Sequence, residues 1–385
     1  MQRMFDYIVV GAGLAGSVLA ERLATQLNKK VLVIERRNHI GGNCYDERDE
    51  NGIIVHRYGP HLFHTNYEEV WKYLSIFTDW NNYKHKVLAY IDGKKIPLPF
   101  DFKGMDLLLP KNVSKRLKKK LSKSYGTGRK ISILELRKYP DEDIQKLADF
   151  VYEKIYKNYT LKQWGKSPEE IDPSIIARVP IFIGEQESYF DDKYQGVPSK
   201  GYSIMFHRML KNPNITLKLN TDFKDIVKIK GRNFYLFSEK FRGKIIYTGM
   251  IDELFDFEYG SLPYRSIKLK FETLDIPLFQ EVATVNYPND FDFTRITEFK
   301  HIHPTSSDRT TILKEYPCDF LYRKNIPFYP YISDESRSIY EKYLNRARKF
   351  SNLILVGRLA EFKYYNMDEI VKKALKIFKE LARES

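Results

Sequence analysis

A chain of 385 residues with 43% hydrophobic and 30% charged residues has the length for two or three domains with real cores and the composition of a soluble globular protein. Its two cysteines, Cys44 and Cys318, exclude a disulfide framework or a CxxC site, so a reducing compartment, the cytoplasm, is expected. The excess of 64 Lys and Arg over 50 Asp and Glu, +14, favours an anionic partner, and the longest apolar run, residues 7–20, is too short and too broken by glycine to cross a bilayer.

Strand signals begin within a few residues of Met1, which leaves no room for a signal peptide. The apolar run Tyr7 to Val10 leads into Gly11-Ala-Gly13-Leu14-Ala-Gly16, then a helical stretch, then Val31 to Ile34 followed by Glu35 and Arg36. Gly11 permits a tight turn, Gly13 lets the backbone approach a pyrophosphate, and Gly16 lets the helix pack on the strand. The phosphates would sit at the helix N-terminus, where free N–H groups and the dipole favour anions. Glu35 lies 35 − 16 = 19 residues after the last glycine, close to the spacing expected of a carboxylate that grips a ribose.

A second glycine pair follows at Gly41-Gly42-Asn43, then a short strand over 53–58 and the loop Gly59-Pro60-His61-Leu62-Phe63-His64. His61 and His64 stand beside the nucleotide-binding unit, open to a structural or a site role; no third residue at metal spacing accompanies them, so no metal is expected. A hairpin is predicted over 86–97 around Asp92-Gly93. Residues 111–130 carry nine Lys or Arg and no acid, with Val113, Leu117, Leu121 and Tyr125 every fourth position. This predicts an amphipathic helix whose basic face is solvated rather than bound to a membrane or partner. No recognised motif supports nucleic-acid binding.

The pattern stays helical from Phe102 to Ile176, with a core stripe of Ile144, Leu147, Ala148, Val151 and Ile155. Residues 156–165 combine aromatic and polar side chains, either as packed aromatics at a helix end or as a stacking platform for a base or sugar. From Arg178 to Tyr189 the chain reads as extended. Period-two strands are predicted over 266–271, 282–287, 294–299 and 310–315. Helix 335–348, a buried strand from Leu353 and a last helix over 367–382 then return to the opening style. Such an ending completes a doubly wound sheet begun at the N-terminus. The expected fold is α/β: a discontinuous Rossmann-like domain (1–82, 200–255 and 335–385), a helical insert (100–178) and an antiparallel sheet insert (83–99, 179–199 and 256–334).

Glu35-Arg36 followed by Gly41-Gly42 resembles FAD-binding folds of the glutathione-reductase type. The resemblance narrows when further blocks are added: residues 35–43, Tyr58-Gly-Pro-His-Leu-Phe-His-Thr65, Tyr159-Thr-Leu-Lys-Gln-Trp-Gly165, Tyr194-Gln-Gly-Val-Pro198, Ile246-Tyr-Thr-Gly249, Tyr264-Arg-Ser266, Thr294-Arg-Ile296, Lys314-Glu-Tyr-Pro317 and residues 357–367. In order and nearly end to end, these resemble the bacterial UDP-galactopyranose mutase family.

That resemblance implies a redox-neutral isomerase that binds FAD and is active with the flavin reduced. It would interconvert UDP-galactopyranose and UDP-galactofuranose, with flavin N5 attacking the anomeric carbon and UDP as the leaving group. By resemblance Arg178 and Arg295, with Tyr189, Tyr329 and Tyr364, meet the pyrophosphate, and Arg178 lies on a mobile lid. Tyr156, Tyr159, Thr160 and Trp164 form the uridine stretch, Ile155 stands where an aromatic is frequent, and Asn286 lies near the nucleotide. Gly11, Gly13, Leu14, Gly16, Glu35, Arg36, Gly41, Gly42, Asn43, Leu62, Phe223, Gly357, Arg358, Tyr365 and Met367 would hold FAD, with His61 and His64 on another side of its ring. Arg178, Arg295, His61 and His64 are the catalytic candidates. Asn366 replaces the family's usual aspartate and suits an N-cap with Glu369. A homodimer is implied. UDP-N-acetylgalactosamine as substrate, an oxidoreductase of the amine-oxidase type and a flavin-binding scaffold without catalysis are the competing readings.

Overall fold

The computed structural model describes residues 4–171 and 179–384. Its centre is a five-stranded parallel sheet in the order Ile215–Lys218, Val31–Ile34, Tyr7–Val10, Lys244–Tyr247, Leu353–Leu355. The first strand pairs on both sides, Tyr7 with Val31 and with Lys244. Alternation then sorts its side chains between two cores. Val9, Val31 and Val33 pack under the helices Leu14–Gln26, Tyr202–Met209 and Met367–Arg383. Ile8, Leu32 and Ile34 face the opposite layer with Phe234, Tyr247 and Tyr343. Each of these aliphatic side chains is at most 1% exposed, a burial worth about 1.5–3 kcal/mol apiece.

The second sheet has seven strands in the order Tyr329–Pro330, Tyr264–Leu274, Thr310–Asp319, Arg295–Glu298, Thr284–Asn286, Val87–Ile91, Lys94–Leu98. All its pairings are antiparallel except that of Thr284–Asn286 with Val87–Ile91, which is parallel. The parallel join arises because the hairpin reaches this sheet from a distant part of the chain.

In the helical layer Ile144, Leu147, Ala148 and Val151 are all buried. The helix Glu142–Val151 runs through a π-turn, Tyr152–Lys157, into the helix Asn158–Trp164. One wider turn rotates everything beyond it about the axis, which is how Tyr156, Tyr159, Thr160 and Trp164 come to line one cavity. The basic helix covers Lys111–Tyr125 and stops short of Lys130, because Gly126 leaves the helix at φ 79° and Arg129–Ile131 becomes a strand paired with Ile181–Ile183. Its cations meet acids of neighbouring elements: Lys118 with Asp106, Arg116 with Asp143, and Lys120 with Asp141 and Asp143. No helix among the described residues is long and apolar enough to cross a membrane.

Candidate active site

Two cavities meet between the parallel sheet and the second sheet. The larger, about 660 Å³, opens over the glycine loop. Space explains the glycines. A Cβ on Gly16 would lie 1.9 Å from the Gly11 carbonyl oxygen, and one on Gly42 would lie 2.9 Å from Gly13 Cα. The second glycine pair is thus packed against the first loop. No side chain caps the helix that follows Gly13, so the first-turn amides of Leu14, Ala15 and Gly16 are left for an anion. Glu35 is buried; its carboxylate accepts Ala12 N–H and Arg37 N–H at 2.9 Å each, which fixes its position and leaves lone pairs for a ribose. A dinucleotide fits these groups.

Gly11, Gly13, Leu14, Gly16, Glu35, Arg36, Gly41, Gly42, Asn43, His61, Phe223, Gly357, Arg358, Tyr365 and Met367 all line this cavity. Leu62 does not; it lines the second cavity. Arg36 lies on the wall, but its guanidinium is held by Glu253 at 2.8 Å, which raises its pKa despite burial. Sequence reasoning missed the opposite wall, the segment from Phe320 to Phe328. Tyr322 there donates to Glu253 at 3.0 Å. Its short run, apolar at both ends around Arg323-Lys324-Asn325, carries no periodic signal.

The second cavity, about 380 Å³, is lined by Ile155, Tyr156, Tyr159, Thr160, Trp164, Tyr189, Asn286, Arg295, Tyr329, Tyr364 and Asn366. Those are all the expected substrate residues except Arg178, which lies outside the described residues. Arg295 is 2.8 Å from Glu315, a buried acid that sequence reasoning passed over inside its own strand. Burial alone would lower the Arg295 pKa; Glu315, with Tyr159 and Tyr329, more than offsets it, so the guanidinium stays charged. Burial pushes Tyr159 and Tyr329 up to about 12 and also raises Tyr189, so these hydroxyls keep their protons as donors. Tyr156 is different: its hydroxyl is spent on the Val179 carbonyl, and it serves as a wall. Asn286 Oδ1 and Thr284 Oγ1, two apart on one face of a strand, are buried and have no partner among the described residues. Such polar atoms suit an oxygen-rich ligand.

His61, Asn43, Phe328, Arg358, Asn366 and Met367 line both cavities and mark their junction. Arg358 donates to the carbonyls of Phe328 and Tyr365 at 3.0 and 2.8 Å, and lies over the rings of Tyr329 and Tyr364. His61 Nδ1 donates to Gly59 O at 2.8 Å, which leaves Nε2 as an acceptor. Burial, aided by Arg358 and Arg295, lowers its pKa to about 4. His64 lines the second cavity but not the first, held by Asp192 at 2.8 Å and stacked on Phe190. His85, also missed, sits deep in the second cavity against the Tyr83 hydroxyl at 2.9 Å, its pKa lowered by burial to about 3. Asn366 begins the last helix in a capping box with Glu369, whose carboxylate accepts Asn366 N–H at 2.7 Å.

Sheet order, glycine loop and joined cavities define a Rossmann-like dinucleotide-binding protein with a second ligand pocket. The family model for an NAD(P)-binding Rossmann-like domain matches residues 9–77, and that for UDP-galactopyranose mutase matches residues 154–364. The chain is 35% identical to UDP-galactopyranose mutase of Mycoplasma genitalium, over 97% of this chain and 93% of that one. It is 33% identical to dTDP-fucopyranose mutase of Escherichia coli, over 97% of each. A crystal structure of reduced UDP-galactopyranose mutase shares the fold with a TM-score of 0.73 at 15% identity, covering 99% of this chain and 94% of that one. The chain belongs to the UDP-galactopyranose mutase family, whose members are isomerases.

Proposed function

We propose that this chain binds FAD in the larger cavity and interconverts UDP-galactopyranose and UDP-galactofuranose in the smaller one, as a cytoplasmic homodimer. The observation that supports this best is the convergence of Arg295 and the hydroxyls of Tyr159, Tyr189 and Tyr329 on a pocket that opens onto the dinucleotide cavity at His61 and Arg358. Gly13, Gly16, Glu35 and Arg358 would hold the flavin, which would supply, when reduced, a nucleophile for the anomeric carbon.

The chain's own residues bind, orient and balance charge. Arg295 and the protonated tyrosines hold the diphosphate and stabilise it as it leaves. Glu315 keeps the guanidinium aimed and charged. Trp164 and Thr160 wall the base, while Asn286 and Thr284 offer unpartnered polar atoms to hydroxyls. Arg358 and the N-terminus of the last helix place positive potential at the junction. His61, neutral at physiological pH, offers an acceptor there. Arg178 supplies a second cation to the diphosphate in this reading.

The test is chromatography of products after incubation with UDP-galactofuranose. Dithionite-reduced protein is expected to form UDP-galactopyranose and oxidised protein to form little. No product under reduction rules out UDP-galactofuranose as the substrate; equal rates in both states rule out the reduced cofactor's role. The dTDP-fucopyranose mutase relative motivates a second reading, a deoxythymidine diphosphate sugar as substrate. Competition between UDP-galactose, its N-acetylamino analogue and dTDP-fucose in the same assay ranks these substrates.

A further inference from the structure

The reading above leaves His56 without a task. It is fully buried, with Tyr202 edge-on at 5.7 Å and Phe299 tilted at 5.6 Å. Its Nδ1 receives the backbone N–H of His61 at 3.0 Å. Its Nε2 lies 3.2 Å from Nε2 of His303, a second buried histidine. With Asp46 the pair forms a buried set whose ligand atoms lie within 4.8 Å of one another, as a metal site would.

Proton positions argue against a metal. An N–H aimed at His56 Nδ1 requires a lone pair there. A neutral imidazole then carries its proton on Nε2, and that proton points at His303 Nε2, which must also be a lone pair. His303 therefore carries its proton on Nδ1. A metal on His56 Nε2 would move the His56 proton to Nδ1, where it would meet the N–H of His61. Asp46 is also engaged, its two oxygens accepting Tyr202 N–H at 2.5 Å and Ser203 N–H at 2.9 Å.

We propose that His303 and His56 form a positioning relay that fixes the tautomer of His56 and, through it, the placement of His61 at the junction of the two cavities. His61 is then anchored twice, by its backbone N–H on His56 and by its ring Nδ1–H on Gly59 O. The second anchor turns its Nε2 lone pair away from Gly59; the first keeps the loop from sliding along the strand. The catalytic part of this inference rests on the proposed flavin and sugar sites; the proton positions do not.

The experiment has two arms. In full-length protein labelled with ¹⁵N-histidine, long-range ¹H–¹⁵N correlation reads each tautomer, with assignments by single substitutions. His56 is expected protonated on Nε2, and His61 and His303 on Nδ1. A wild-type His56 protonated on Nδ1, or stoichiometric metal in purified protein that is lost in His303→Leu, overturns the proposal. In the second arm, His303→Leu removes the acceptor, whereas His303→Gln restores one. With reduced protein and UDP-galactofuranose, kcat is expected to fall about tenfold in His303→Leu with KM changed less than twofold. His303→Gln is expected to recover most of the loss. Equal kcat in both variants and wild type overturns the relay. Absence of turnover in wild type removes the mutase reading and the relay's catalytic role with it, while the spectra still decide the proton positions.

Discussion

Gly13 and Gly16 lie three residues apart and do different work. A Cβ on Gly16 would be driven into the Gly11 carbonyl at 1.9 Å, inside the protein itself. On Gly13, which has φ −83°, a Cβ would find its nearest neighbour, Gly42 Cα, at an ordinary 3.7 Å. It would project where the dinucleotide belongs. Gly13→Ala is therefore expected to melt within a few degrees of apo wild type yet to lose FAD on gel filtration. Gly16→Ala should fail to give a cooperative melt. A Gly13→Ala protein that retains FAD would remove the pyrophosphate from this loop. Asn366→Asp is a milder case. Aspartate caps about as well as asparagine and adds a charge that the helix N-terminus favours by about 0.3–1 kcal/mol. Stability is expected unchanged or slightly higher and kcat within a few-fold of wild type; a change of several tens-fold would mean that the position acts on the chemistry. Much of the candidate site was legible at this scale, because glycines in a loop and aromatics in a short run keep their meaning locally. Glu315 and His85 were not. An acid within an alternating strand looks like a surface residue until the sheet shows which face is buried.

The Phe320–Phe328 segment joins two strands of the second sheet but closes the cavity over the parallel sheet. Glu253, only 3% exposed, accepts from Tyr322 on the segment and from Arg36 beyond the second strand. One buried carboxylate thus ties the segment down on the side of Arg36. At its other end the segment delivers Phe328 and Tyr329 to the junction and the substrate cavity. Tyr322→Phe removes the tie without removing the ring and leaves Glu253 with Arg36. It is expected to speed FAD release, followed by the recovery of flavin fluorescence on dilution, by about tenfold, in line with about 1.5 kcal/mol, the low end for one hydrogen bond to a charged group. Release at the wild-type rate would show that the segment merely covers the cavity. Local pattern could not reveal this strap. It did reveal the hairpin, found at Val87–Ile91 and Lys94–Leu98, and the last helix, found at Met367–Arg383, since both rest on short-range periodicity. The π-turn at Tyr152–Lys157 escaped because one extra residue in a turn leaves the apolar stripe nearly unbroken.

Across the whole molecule residues 200–255 were read as part of the Rossmann-like domain, but the two strands they give its sheet, Ile215–Lys218 and Lys244–Tyr247, were not read, and only long-range burial decides their order. The same burial sets the response to acid. His56, His61, His85 and His303 are all held neutral by desolvation, His61 and His303 with pKa near 4 and His85 near 3. In the unfolded chain each would titrate near 6.5. Between those limits the unfolded state binds protons that the folded state refuses, so stability is full above about pH 6.5 and is lost as pH falls. Each histidine contributes a slope of up to about 1.4 kcal/mol per pH unit. Asp252 opposes them: burial raises its pKa to about 6, so the folded state takes up one proton that the unfolded state does not. His39 is lowered as well, whereas His301, Asp46, Asp101 and Asp368 are raised; of the raised acids Asp252 alone reaches about 6, so near pH 5.5 the desolvated histidines still leave net proton uptake on unfolding. Melts of the apo protein are therefore expected to drop steadily from pH 7 to pH 5. Calorimetry at pH 5.5 in buffers of different ionisation enthalpy should register more than one proton taken up. His85→Asn should flatten the slope, since it removes one of these sites without adding a charge. A melting temperature constant over that range, or no uptake, would mean that water reaches these rings and that His61 at the junction is free to carry charge during turnover.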